Sequence, residues 1–130
     1  MILIDTHVFI WWIQGDSKLS EKHKKFLKEN EHTGIYVSII SCWEITKLIE
    51  KNRLLLPLPI NEWFQTAFSY AGMKLTNLDL DIILASHKLK NFHKDPMDQL
   101  IAATSITMKI PLLTFDSKLI DRRDIETIKL

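Results

Sequence analysis

The chain reads as an α/β domain: a mainly parallel, roughly five-stranded sheet covered by helices on both faces, in three α/β/α layers. Three patterns point to it. Short, wholly apolar runs such as Ile2-Leu3-Ile4 lack the alternation of half-exposed strands and suit strands buried on both faces. Between them lie segments with apolar residues at helical spacing. The two kinds alternate along the chain, the order that builds a parallel sheet with crossover helices. At 130 residues, the whole of 1–130 fits one domain.

Each element has a local reason. Residues 2–4 form the first strand. Val8, Phe9, Trp11, Trp12 and Ile13 make a helix that stops near Gly15. Ser17 or Ser20 caps a second helix through Leu27, with Glu21 in its first turn and Lys25 and Lys28 toward its end, matching the macrodipole. After Gly34, residues 35–37 are the second strand. Ser38 or Ser41 opens a helix burying Cys42, Ile45, Leu48 and Ile49, with Asn52 suited to the left-handed position after it. Pro57 and Pro59 keep the apolar stretch 54–59 from becoming a regular helix. An Asn61-capped helix carrying Trp63, Phe64, Ala67 and Phe68 then runs toward Gly72. Residues 74–77 are a weak third strand, and Asp79 or Asp81 starts a helix through Leu89. Asp95-Pro96 is a clear helix start, with Asp95 as cap and Pro96 at the first helical position. Leu100, Ile101, Ala103, Thr104 and Met108 form that helix's inward face. Residues 112–115 make the fourth strand and 126–130 an edge strand.

Composition narrows the function little. With 46% apolar and 25% charged residues and a formal charge of +1, this is an ordinary globular composition. The basic residues are grouped, as Lys18, Lys22, Lys24, Lys25 and Lys28; as Lys47, Lys51 and Arg53; as Lys88, Lys90, His93 and Lys94; and as Lys118, Arg122 and Arg123. Such groups are either solvated helix faces or a phosphate-binding rim. The one cysteine, Cys42, rules out a disulfide framework. The N-terminal residues do not read as a signal peptide and no apolar stretch approaches the ~20 residues of a spanning helix, so the expectation is a cytoplasmic protein without a membrane partner.

The chemistry lies in four acidic residues. Asp5 ends the first strand and Asp116 the fourth; Glu44 is early in the helix after the second strand, and Asp98 is in the first turn of the helix begun by Asp95. Helices begin at the carboxyl edge of a parallel sheet, so all four belong to one edge, where open α/β folds bind ligands. Singly each has a plain explanation: Asp5, Asp95 and Asp116 as helix caps worth about 1 kcal/mol, Asp98 as a helix-dipole charge, Glu44 as a partner of Lys47. Jointly they would repel one another unless a cation neutralised them. Mg²⁺ is usually held by one or two carboxylates, waters and substrate phosphates, and it promotes attack of water on a phosphodiester. Other chemistries lack their residues. Three scattered glycines give no phosphate loop, His7 stands where a dehalogenase-type phosphatase needs a second Asp, and the five histidines form no zinc-protease pattern. His7 and His93 lie close enough to the expected site to touch a phosphate.

In order, these residues resemble a known family. Asp5-Thr6-His7 with Trp11-Trp12, Val37-Ser38 with Trp43-Glu44-Ile45, Arg53-Leu54 with Leu56-Pro57-Leu58-Pro59, His93-Lys94-Asp95-Pro96-Met97-Asp98 leading into Leu100-Ile101-Ala102-Ala103-Thr104, and Leu113-Thr114-Phe115-Asp116 look like the PIN-domain ribonucleases. The similarity is to their VapC-type toxins of type II toxin–antitoxin pairs. It implies a Rossmann-like sheet, a homodimer, an RNA substrate cut with Mg²⁺ (Mn²⁺ substituting), and a VapB-like antitoxin whose tail crosses the active groove. It also implies that Asp5 and Asp98 ligate the metal directly, that Glu44 and Asp116 complete the metal and catalytic site, and that Thr6 and Thr114 steady the carboxylates. The apolar stretch 54–60 and the helix with Trp63 and Phe64 would lie under that tail, at the dimer interface, or over the chain's own core. Gln99 departs from a frequent Arg and Asn52 from a frequent Gly; neither touches the acidic set. A catalytically silent scaffold of the same fold, or a DNA-directed nuclease, are the alternatives.

Overall fold

The computed structural model describes residues 1–92 and 95–130; His93 and Lys94, two residues of the third basic group, lie outside them. Strands β1 (Ile2–Ile4), β2 (Ile35–Ser38), β3 (Met73–Thr76) and β4 (Leu112–Leu113) form one sheet in the order β3-β2-β1-β4, and every pairing is parallel. The helices are α1 (Thr6–Gln14), α2 (Glu21–Glu29), α3 (Ile39–Glu50), α4 (Ile60–Ser69), α5 (Leu80–Lys88), α6 (Pro96–Met108) and α7 (Ser117–Ile120). Strand order reverses between β1 and β4, so the switch point of the sheet falls between the ends of those two strands.

The three-layer arrangement follows from the pleat. Ile2 and Ile4 pack into one apolar cluster with Val8, Phe9, Ile45 and Trp63, while Leu3 points the other way, into a cluster with Ile101, Leu112 and Leu119. β4 divides likewise, Leu113 to the first face and Leu112 to the second. Trp63 fills the first core, with its ring edge-on to Phe9 at 5.3 Å and its indole N–H donating to Gln14 Oε1 at 2.9 Å. Leu54, Leu56, Ile60 and Phe64 pack against the same cluster, so part of the apolar stretch and one side of α4 cover the chain's own core, while Leu55 and Leu58 are exposed. Gly72 has φ +77°, and a Cβ there would lie 2.3 Å from the Glu31 carbonyl oxygen, so only glycine lets the turn before β3 approach the loop after α2.

Two expectations are corrected. The sheet has four strands among the described residues: 126–130 makes only a parallel bridge of Thr127 to Leu112, with Leu112 N–H donating to Glu126 O and accepting in return from Ile128 N–H, both at 2.9 Å. β4 is two residues long and is preceded by Pro111, which has no N–H, so the ladder has nothing along which to extend. Asn61 is not a cap. Pro59 sets the chain's direction at φ −53°, ψ 145°, and Trp63 N–H already donates to its carbonyl, which puts Asn61 inside the first turn of α4. The remaining helix starts have side-chain caps where the sequence placed them, Ser20 on α2, Ser38 on α3 and Asp79 on α5.

Candidate active site

Each acidic side chain reaches the carboxyl edge of the sheet for a local reason. Asp5 leaves β1 in an extended conformation and caps α1, accepting from Val8 N–H at 3.0 Å. Asp116 caps α7 through Lys118 N–H at 2.9 Å. Asp95 caps α6 through the N–H groups of Met97 and Asp98, at 3.0 and 3.3 Å, and Pro96 after it fixes the entry into the helix. Asp98 follows in the first turn of α6, and Glu44 projects from α3. Asp5, Glu44, Asp95, Asp98 and Asp116 together line one cavity of about 170 Å³, with Thr6 and His7 completing its wall.

The plain and the chemical explanations of these residues therefore hold at once for Asp5, Asp95 and Asp116, which both cap helices and face the cavity. Asp95 was legible in the sequence only as a cap; its spacing of three from Asp98 on a helix start was the available signal. Glu44 does not pair with Lys47, whose ammonium meets Glu50 at 3.1 Å instead. The Thr6 hydroxyl donates to Glu44 Oε1 at 2.5 Å and lies 2.9 Å from the Ser41 hydroxyl; with one proton to give, Thr6 takes the second contact as acceptor from Ser41. Thr114 donates to Asp5 Oδ2 at 2.5 Å and accepts from Asp116 N–H at 3.1 Å, linking two acidic residues through one hydroxyl. The sequence offers Ser41 only as an alternative helix cap, a place that Ser38 takes, and carries no signal for its contact with Thr6.

The electrostatics suit a cation. Burial pushes the Asp5 carboxyl above its ordinary value; hydrogen bonds from Thr114 and Val8 and the nearby His7 pull it back, and the Glu44 charge adds to the rise. Among the described residues no three Asp, Glu, His or Cys side chains close around a point tightly enough to ligate one ion directly. One oxygen of each of Asp5, Asp95 and Asp116 is turned toward backbone N–H groups. Mg²⁺ needs only one or two carboxylates and keeps several waters. At about 30 Å³ per liquid water, a cavity of about 170 Å³ has room for such an ion and part of its hydration shell. A lining of five carboxylates and one hydroxyl, with His7 the one nitrogen-bearing side chain, fits a hard divalent cation.

The surroundings sort the other candidates. Gln99 Nε2 donates to the Ser86 carbonyl at 2.8 Å, so it joins α6 to α5 rather than facing the cavity. Cys42 is buried on α3, two residues before Glu44, and burial pushes its thiol up to about 11. Arg122, from the fourth basic group, is held by Asp124 at 2.7 Å and by the carbonyls of Lys90 and Asn91. A larger surface cavity of about 670 Å³ lies against residues of the C-terminal segment, where the charges are of mixed sign. No helix among the described residues is long and apolar enough to cross a membrane.

With this geometry in hand, likeness to known proteins is informative. The PIN domain family model matches residues 2–125. Over 123 residues the chain is 28% identical to Ribonuclease VapC22 of Mycobacterium tuberculosis, covering 94% of this chain and 92% of that protein. Among solved structures it resembles VapBC2 of Rickettsia felis bound to a promoter DNA fragment, at TM-score 0.72 and 15% identity over 98% of both chains. It also resembles DNA-bound VapBC of Salmonella typhimurium, at TM-score 0.71 and 15% identity, covering 98% of this chain and 96% of that one. FitAcB of Neisseria gonorrhoeae gives TM-score 0.68 and 19% identity over 99% and 97%. At these identities the structural likeness is one of fold.

Proposed function

Because the chain belongs to the PIN-domain family, we propose that it is a divalent-metal-dependent endoribonuclease, the toxin half of a VapBC-type pair. The observation that carries this reading is the meeting of five carboxylates from β1, α3, α6 and α7 in one cavity at the switch point of the sheet. The name of the M. tuberculosis relative supports RNA as substrate, and the VapBC assemblies among the structural neighbours support a VapB-like antitoxin as partner. The enzyme would work in the cytoplasm, as a homodimer.

Asp5 and Asp98 would hold Mg²⁺, with Mn²⁺ able to replace it, while Glu44 and Asp116 orient its waters. The ion would supply activation of water and charge stabilisation at the phosphodiester. The chain's own groups do the rest. Thr114 and Thr6 fix the rotamers of Asp5 and Glu44, so the carboxylates need no reorganisation when substrate arrives. The caps on α1 and α7 anchor Asp5 and Asp116 to the backbone. His7, exposed on the cavity wall, would contact substrate phosphate. Which RNA is cut depends on the groove around the cavity.

Incubation of the purified chain with single-stranded RNA tests the reading. Cleavage should vanish with EDTA, return with Mg²⁺ or Mn²⁺, and leave matching DNA intact. Capping by Asp5, Asp95 and Asp116 favours a second reading, a silent scaffold; a chain that binds RNA with no metal-dependent cleavage would establish it. Cutting that resists EDTA would refute the metal mechanism.

A further inference from the structure

A row of aromatic rings leads out of the acidic cavity. His7 lines the cavity, and its ring lies 5.9 Å from that of Trp11, one turn along α1. Trp11 meets Phe115 edge-on at 5.2 Å, and Phe115 in turn lies 4.7 Å from the ring of His23 on α2. Phe115 stands between Thr114, which donates to Asp5, and the cavity residue Asp116. It is 41% exposed and belongs to neither core cluster. The rings are positioned in advance: Trp11 packs on the main core, and His23 Nδ1 is 2.5 Å from the Ser20 hydroxyl. The Lys18 ammonium lies 5.8 Å over the Trp11 ring, shared with Asp16 at 3.8 Å.

An exposed phenyl ring buried in neither core, beside a charged cavity and flanked by further rings and a cation, is the arrangement with which proteins hold unpaired bases. Every base has a π-face, its backbone phosphate seeks a cation, and stacking on an aromatic side chain contributes to affinity without demanding a particular sequence. We propose that Phe115, with Trp11 and His23 behind it, is the stacking platform for a base of single-stranded RNA next to the cleaved phosphate, and that Lys18 meets the adjoining backbone. This rests on the ribonuclease reading above and names how that site grips its substrate. A peptide segment of a protein partner is less favoured: the row starts at the cavity wall, where the reacting phosphate belongs.

The test is binding of a fluorescein-labelled single-stranded oligoribonucleotide to the full chain, read by anisotropy beside cleavage. Phe115→Leu keeps apolar bulk without the π-face and should weaken binding roughly tenfold, with Phe115→Trp restoring it. An abasic nucleotide at one position should weaken wild-type binding by the same factor and Phe115→Leu binding no further. Wild-type affinity in Phe115→Leu overturns the proposal, as do losses from the abasic site and from Phe115→Leu that simply add at every position. A Phe115→Leu chain that holds RNA normally but releases its antitoxin also overturns it, assigning the rings to the protein partner. Stacking-dependent binding without any cleavage would refute the nuclease reading and leave the platform standing, whereas no RNA binding at all would remove both.

Discussion

Strand β1 and the residues that follow it are equally shielded from water and chemically opposite. Ile2, Leu3 and Ile4 are 2% exposed or less, with neighbours that are almost all apolar, while Asp5 and Thr6, immediately after, are still buried and bonded to the hydroxyls of Thr114 and Ser41. The strand is held by contacts that depend on volume and shape, which neighbouring residues can share. The edge is held by directed bonds with a donor and an acceptor, and among the described residues no buried side-chain polar atom lacks a partner. Equal burial thus serves two ends, cohesion in the middle of the sheet and fixed charge at its rim.

That contrast can be tested from both sides. The largest effect should come from the rim: Asp98→Asn should reduce metal-dependent RNA cleavage to background while circular dichroism stays native, and surviving activity would remove Asp98 from the site. Leu3→Ala, in the middle of the sheet, should cost about 2–5 kcal/mol in denaturant unfolding and leave the rate per folded molecule unchanged. Thr114→Val keeps shape but deletes the donor to Asp5. It should lower metal affinity or activity by about 10–100-fold, seen as a rightward shift of the Mn²⁺ dependence.

A smaller effect concerns pH. The folded state raises the Asp5 carboxyl above its ordinary value, so it holds that proton more tightly than the unfolded chain does. The corresponding stability is fully present below the unfolded value and is lost as pH rises through the raised folded one. Metal-free Asp5→Asn should therefore melt a few degrees above wild type at neutral pH, with the gap closing in acid and on adding Mg²⁺ to the wild type. A gap that ignores both would mean that the buried charge is not its source. The smallest effect belongs to the surface: Lys47→Ala removes an exposed ion pair with Glu50 and should change stability by about 0.2–0.5 kcal/mol.

Much of this is legible in the sequence. Asp5 and Asp116 follow apolar runs, and Asp95-Pro96 marks a helix start, so local rules were enough to put them on one edge. What failed was decided by distant partners. Residues 126–130 have the apolar pattern of a strand, yet a ladder needs a neighbour with free groups, and β4 is too short to provide them. The helix at Asn61 began early because Pro59 had already turned the chain. The hydroxyl chain through Ser41, Thr6 and Glu44 and the row of rings through Trp11, Phe115 and His23 join segments far apart in sequence. No periodicity announces such meetings.

Cys42 carries a consequence for how this molecule meets oxidants. Its sulfur is covered, and with its thiol pushed up to about 11 it remains protonated at any pH a cell reaches. Peroxide and alkylating reagents attack the thiolate. The thiol on the helix that carries Glu44 is therefore a poor target for such reagents, and oxidation is directed to other side chains, such as the exposed Met1.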